Sequence, residues 1–147
     1  MGDLTAERSD VKTLEKEVNW PDEAAFPKSL QEEVFIKHLK GPLFFGSTSE
    51  FQQMADQIPR TASTVIIRMG RMQYMDQSGL YTLEDVLISL RKSGINVLFV
   101  EVLKQPRYMM ERVGVIPDLI PDEHIFESFD ECLMWVKANV KDKYPSN

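Results

Sequence analysis

A single cysteine, two histidines and no apolar stretch near the length of a membrane span set the first limits on this 147-residue sequence. Cys132 alone cannot make an intrachain bridge, and His38 and His124 lie far apart with no further Cys or His at ligand spacing. A disulfide scaffold and a zinc module are both excluded. No run approaches the ~20 apolar residues that cross a bilayer. The first twenty residues carry Asp3, Glu7, Arg8, Asp10, Lys12, Glu15, Lys16 and Glu17, so no export signal is expected there. Basic residues are also short: 17 Lys and Arg face 23 Asp and Glu, a net charge of −6 that gives no positive field for a phosphate backbone. Nucleic acid is therefore not an expected partner. Neither G-x-x-x-x-G-K-[ST] nor G-x-G-x-x-G occurs.

What is present suits one core. Hydrophobic residues make up 43% of the chain, and a domain of this length removes roughly two thirds of its unfolded surface from water. Residues 1–30 read as an acidic lead-in or linker, and residues 31–147 as the domain. Val11, Leu14 and Val18 are spaced for a short amphipathic helix, and Trp20, Pro21, Phe26 and Pro27 suit a linker that anchors on the domain through its aromatics.

From Glu33 the pattern alternates. Val34 to Lys40, the Gly41-Pro42 turn and Leu43-Phe44-Phe45 predict two strands in a hairpin. Ser47 and Glu50 have capping-box spacing ahead of a helix with Phe51, Met54, Ala55 and Ile58 on one face. Thr64 to Met69, apolar except for Arg68, and Ile95 to Val102 read as strands covered on both faces. Between them Leu80, Leu83, Leu87 and Leu90 mark a helix that Gly94 stops. A short helix follows, with Pro106 in its first turn and Tyr108, Met109 and Val113 expected to face inward. Ile125-Phe126 suits an edge strand, and Ser128 with Glu131 caps a final helix bearing Phe129, Cys132, Leu133, Val136 and Val140. The order predicts an α/β sandwich: a mixed, mostly parallel sheet with a starting hairpin, packed by about four helices.

The chemistry-bearing segment is Tyr74-Met75-Asp76-Gln77-Ser78-Gly79-Leu80, where a strand hands over to the leucine-faced helix. A helix start offers free N–H groups and partial positive charge, and a phosphate on Ser78 would add about −1.5 to −2 charge there. The plainer role is that Asp76 or Ser78 caps the helix, worth about 1 kcal/mol. Both histidines fall in an edge strand or surface loop, so no serine triad is expected. Glu84-Asp85 and Glu32-Glu33 read as solvated faces, and Met72, Met75, Met109 and Met110 as core filler.

The run Gly41-Pro42-Leu43-Phe44-Phe45-Gly46, then Met75-Asp76-Gln77-Ser78-Gly79-Leu80, then the strand Ile95 to Val102 resembles the STAS domain at the cytoplasmic C-terminus of SulP-type anion transporters. The similarity spans about residues 32–141 and extends more distantly to anti-sigma factor antagonists. It implies that Ser78 occupies the antagonists' phosphorylated position, supported by Asp76, Gln77, Gly79 and Leu80. It also implies no catalysis, a cytoplasmic address, attachment to the membrane domain of a sulfate or related anion transporter, homodimerisation, a regulatory protein or kinase as partner, and for some members a bound nucleotide. The alternatives are a freestanding, phosphorylation-switched antagonist and a nucleotide-binding regulatory module. The acidic lead-in suits a segment descending from a last transmembrane helix.

Overall fold

The computed structural model describes residues 19–42 and 53–140. Four strands lie side by side in chain order: β1 (Val34–Lys40), β2 (Thr64–Arg71), β3 (Asn96–Val100) and β4 (Ile125–Phe126). Every pairing between them is parallel, with Ile36 opposite Ile66, Ile66 opposite Leu98 and Phe99 opposite Ile125. Four helices, α1 (Met54–Gln57), α2 (Gln77–Lys92), α3 (Lys104–Arg112) and α4 (Phe129–Asn139), complete the α/β sandwich. The second strand of the expected hairpin, the Ser47 to Glu50 cap, Phe51 and the Val11 to Val18 helix lie outside the described residues.

Period-two alternation in β2 decides what each face of the sheet becomes. Val65, Ile67 and Met69 join Val97 and Phe99 against Leu80, Leu83, Leu87 and Leu90 of α2 and Met110 of α3. Ile66 joins Leu98 and Val100 on the other face, against Phe129, Cys132, Leu133 and Val136 of α4 and Phe26 and Leu30 of the N-terminal segment. Both faces are covered, which is why β2 and β3 read as unbroken apolar runs. Met72, Met75 and Met110 are buried.

The punctuation works through hydrogen bonds. After α2, Gly94 adopts φ +78°, its N–H donates to Arg91 O at 3.0 Å, and the Ile95 N–H donates to Leu90 O at 3.0 Å. This pair of bonds is the Schellman closure, and the left-handed backbone explains the glycine. Before α4, Ser128 Oγ accepts the Glu131 N–H at 3.2 Å, while Glu131 Oε1 accepts the N–H of Glu127, one residue earlier than a reciprocal box requires.

The orientation of α3 corrects the sequence expectation. Pro106 and Met110, four residues apart, take the buried stripe. Tyr108 and Val113 are instead exposed, and Met109 is half-buried. Glu33, expected on a solvated face, is buried at the start of β1, where its carbonyl accepts the N–H groups of Ser63 and Thr64.

Leu83 is fully buried between α2 and the sheet, so Leu83→Ala should cost about 2–5 kcal/mol in urea unfolding. Met134→Ala, on the exposed side of α4, should change stability by less than about 0.5 kcal/mol.

Candidate functional site

The carboxyl end of β2 runs through residues 72–76 into α2, and Asp76 is the N-cap of that helix. Its backbone is extended, and its carboxylate accepts the Gly79 N–H at 2.7 Å. The Asp76 carbonyl accepts the Leu80 N–H at 2.9 Å, closing the first turn. Gln77 and Ser78 supply the first N–H groups of the helix, at its positive end. The bend is also gripped from α3. Gln105 Oε1 accepts the Met75 N–H at 2.9 Å, and Gln105 Nε2 donates to Met75 O at 3.0 Å.

These contacts sort the five expected site residues. Asp76 is the cap, and Ser78 is not. Ser78 is the second helical residue, half-buried, and its carbonyl accepts the Thr82 hydroxyl at 3.0 Å. Gln77 is exposed and donates to the Tyr81 hydroxyl at 2.7 Å. Gly79 and Leu80 are buried under the turn. A cavity of about 140 Å³ opens beside them, lined by Gln77, Leu80, Met109, Arg112 and Val113. The Arg112 guanidinium lies 5.6 Å from the centre of the Tyr108 ring. Arg112 and Gln77 thus line one cavity beside the positive end of α2. Both imidazoles are engaged elsewhere, His38 with Glu23 and His124 edge-on to Trp135. Among the described residues no group of three or more His, Cys, Asp or Glu is placed to hold a metal ion, and no helix is long and apolar enough to cross a membrane.

A second constellation, which the sequence reading passed over, occupies the other face of the sheet at the same end. Arg68 is 1% exposed. Its Nη2 donates to Asp22 Oδ2 at 2.8 Å and Glu101 Oε1 at 3.0 Å, and its Nη1 donates to Asp22 Oδ1 and, at 3.0 Å, to Glu23 Oε2. The rings of Trp20 and Phe129 each lie 4.7 Å from its guanidinium carbon. Burial alone would pull the guanidinium pKa down, but the three carboxylates carry it above its ordinary value. The hydrogen bond to Arg68 in turn holds the Asp22 carboxyl below the usual range, against the opposing effect of burial. Burial pushes the Cys132 thiol up to about 12, although the Arg68 charge works the other way. A cavity of about 320 Å³ adjoins the cluster, lined by Trp20, Pro21, Asp22, Arg68, Gly70, Arg71 and Glu101.

Two further features mark this end of the sheet. Glu101 takes φ +63°, a left-handed backbone rare for a residue with a side chain, while its N–H donates to Phe126 O at 2.8 Å. Gly70 passes directly under the Glu101 side chain, leaving no room for a Cβ. The signal in the sequence was available: a lone arginine in an apolar strand demands carboxylates, and Asp22-Glu23 is an acidic pair beside an aromatic anchor.

Comparison with known proteins adds family and fold. A family model described as the STAS domain matches residues 26–132. The protein YvdB of Bacillus subtilis (strain 168), which carries a provisional sulfate-transporter name, is 26% identical over 94 residues. That alignment covers 63% of this chain but 18% of the relative, so the chain spans under a fifth of that relative's length. A sulfate transporter family protein from Wolinella succinogenes superposes with a TM-score of 0.69 at 26% identity, covering 84% of this chain and 97% of that one. The STAS domain of a SulP transporter from Vibrio cholerae gives 0.65 at 24% identity, covering 80% and 88%. The anti-sigma factor antagonist SpoIIAA, at 13% identity and a TM-score of 0.53 over 75% and 94%, shares the fold.

Removing the cap in Asp76→Ala should cost about 1 kcal/mol of unfolding free energy, with Asp76→Asn keeping most of it. In Gly70→Ala the new Cβ would sit 2.8 Å from Glu101 Oε1 and 3.2 Å from Glu101 Cβ. Overpacking of this kind should destabilise by about 1–3 kcal/mol in the same assay, and adding Glu101→Ala should recover only the part due to the Glu101 carboxyl group, since the Cβ contact remains.

Proposed function

We propose, on the ground that the chain belongs to the STAS domain family, that it is a non-enzymatic regulatory and interaction domain of a SulP-type transporter of sulfate or a related anion. The domain would sit on the cytoplasmic face of the membrane, with the transporter's membrane part as its principal partner, and with a second copy and a regulatory protein or kinase as further ones. Transport itself belongs to the membrane part. The family match across residues 26–132 carries this reading, and the similarity to transporter-derived domains favours it over a freestanding antagonist.

Within it, the start of α2 is the regulatory surface. Ser78 is half-buried, its turn is fixed by the Asp76 cap and the Gln105 grip, and Arg112 lines the adjoining cavity. A phosphate there would meet the helix's positive end and the Arg112 guanidinium while repelling the Asp76 carboxylate that caps the turn. The charge would thus reset the bend and the exposed Tyr74, Tyr81 and Tyr108 around it, biasing how the domain docks on its partner.

The test is anion uptake by the full-length protein carrying Ser78→Glu or Ser78→Ala. Ser78→Glu should change the uptake rate or affinity several-fold, with Ser78→Ala staying near the parent. Rates, affinity and assembly unchanged in both would overturn the switch. A parent gene with no hydrophobic segments ahead of Met1 would overturn the transporter reading in favour of the freestanding one.

A further inference from the structure

We propose that residues Trp20 to Glu23 form a proton-responsive latch, in which the charge on His38 sets how tightly this segment is held against the sheet. The segment lies outside the four strands and is fastened from above. Asp22 takes two hydrogen bonds from Arg68. Glu23 Oε2 meets Arg68 Nη1 at 3.0 Å and His38 Nε2 at 2.6 Å, and Glu23 Oε1 accepts the Trp20 N–H at 3.2 Å. The Trp20 ring completes the closure, 4.7 Å from the His38 ring and 4.0 Å from the Arg71 guanidinium carbon.

Among the described groups that share hydrogen bonds, ion pairs or ring contacts with this cluster, negative charge exceeds positive while the imidazole is neutral. Asp22 and Glu23 come from the N-terminal segment and Glu101 from the end of β3. Arg68, directly opposite His38 in the register, and Arg71 come from β2. Three carboxylates thus face two guanidinium groups. The group contributed by α4, Cys132, has its thiol pushed up to about 12 and stays neutral. A proton on His38 removes the excess negative charge and converts its contact with Glu23 into an ion pair. Side-chain exposure is 3% at His38 and 1% at Glu23 and Arg68, so water does little for the Glu23–His38 contact itself, whereas Asp22 at 48% and Glu101 at 36% keep part of their charge hydrated.

The sign follows from this geometry. The protonated imidazole belongs to the closed latch, so its contribution is complete on the acid side of the histidine range, which centres on ~6.5, and is lost as pH rises through it. The carboxylate of Asp22, held low by Arg68, sets the acid limit: its contribution is lost when pH falls through that depressed value. The latch is tightest between the two ranges. Residues Trp20 to Glu23 are therefore held tightly to the sheet at mildly acid pH and loosened at alkaline pH.

Hydrogen exchange of residues 20–26 in the 147-residue chain, corrected for the intrinsic pH dependence of exchange, reads the latch directly. Amides of β2 and β3 serve as the internal control. Protection of residues 20–26 should rise at least tenfold (~1.4 kcal/mol) from pH 8.5 to 5.5, with β2 and β3 unchanged, and should be flat within twofold in His38→Gln. A flat native profile, or an equal slope in the variant, would overturn the proposal. Should His38→Gln fail to fold, Trp135→Phe leaves Trp20 as the one tryptophan. Its emission must then titrate with the midpoint of the His38 imidazole resonance, and a different midpoint overturns the proposal.

Discussion

A guanidinium buried in the middle of a parallel sheet is tolerable only when its charge is met on the spot, because an ion moved into protein interior unpaired costs several kcal/mol. At Arg68 the charge is met by Asp22, Glu23 and Glu101, with Trp20 and Phe129 against the guanidinium. None of these partners is on the arginine's own strand. The requirement to satisfy one side chain therefore draws the N-terminal segment, the end of β3 and the start of α4 to one place. The Glu101 side chain that meets Arg68 also passes over Gly70, where a Cβ would crowd it.

The two faces of β2 divide the molecule's work. Its Val65, Ile67 and Met69 side builds an apolar core against α2 and α3, and the strand then leads into the Asp76 to Leu80 bend. Its Ile66 and Arg68 side holds α4 and the N-terminal segment. Both polar features sit at the carboxyl end of the sheet, where α/β folds commonly place their ligand and switch sites. A change at either is one strand away from the other, and β2 is the shared element. One of the two sites is the capped start of α2, and the other holds residues Trp20 to Glu23 against the sheet.

Local pattern made much of this legible. The apolar runs of β2 and β3, the leucine spacing of α2, the Gly94 stop and the Ser128 cap depend on neighbours within a turn or a strand, and each could be read in place. The helix start bearing Ser78 was legible for the same reason. Tyr108 and Val113 were misjudged because a nine-residue helix shows too few turns to phase its buried stripe, which Pro106 and Met110 occupy. Arg68 in an apolar strand signals a need for carboxylates, but which ones answer it escaped because the pairs span 46, 45 and 33 positions, a distance over which spacing does not select partners. The acidic N-terminal stretch read as a linker anchored through its aromatics, whereas Glu23 is also buried, beside His38.

The central claim is that Arg68 and the carboxylates around it stand or fall together. The most direct measurement is a double-mutant cycle on the 147-residue chain, comparing urea unfolding of Arg68→Leu, of Asp22→Asn with Glu23→Gln, and of all three changes combined. Arg68→Leu alone should lose about 3–5 kcal/mol, since it strands buried negative charge, and neutralising the two carboxylates in that background should restore a large part of the loss. A nearly neutral Arg68→Leu, or effects that simply add, would contradict the account.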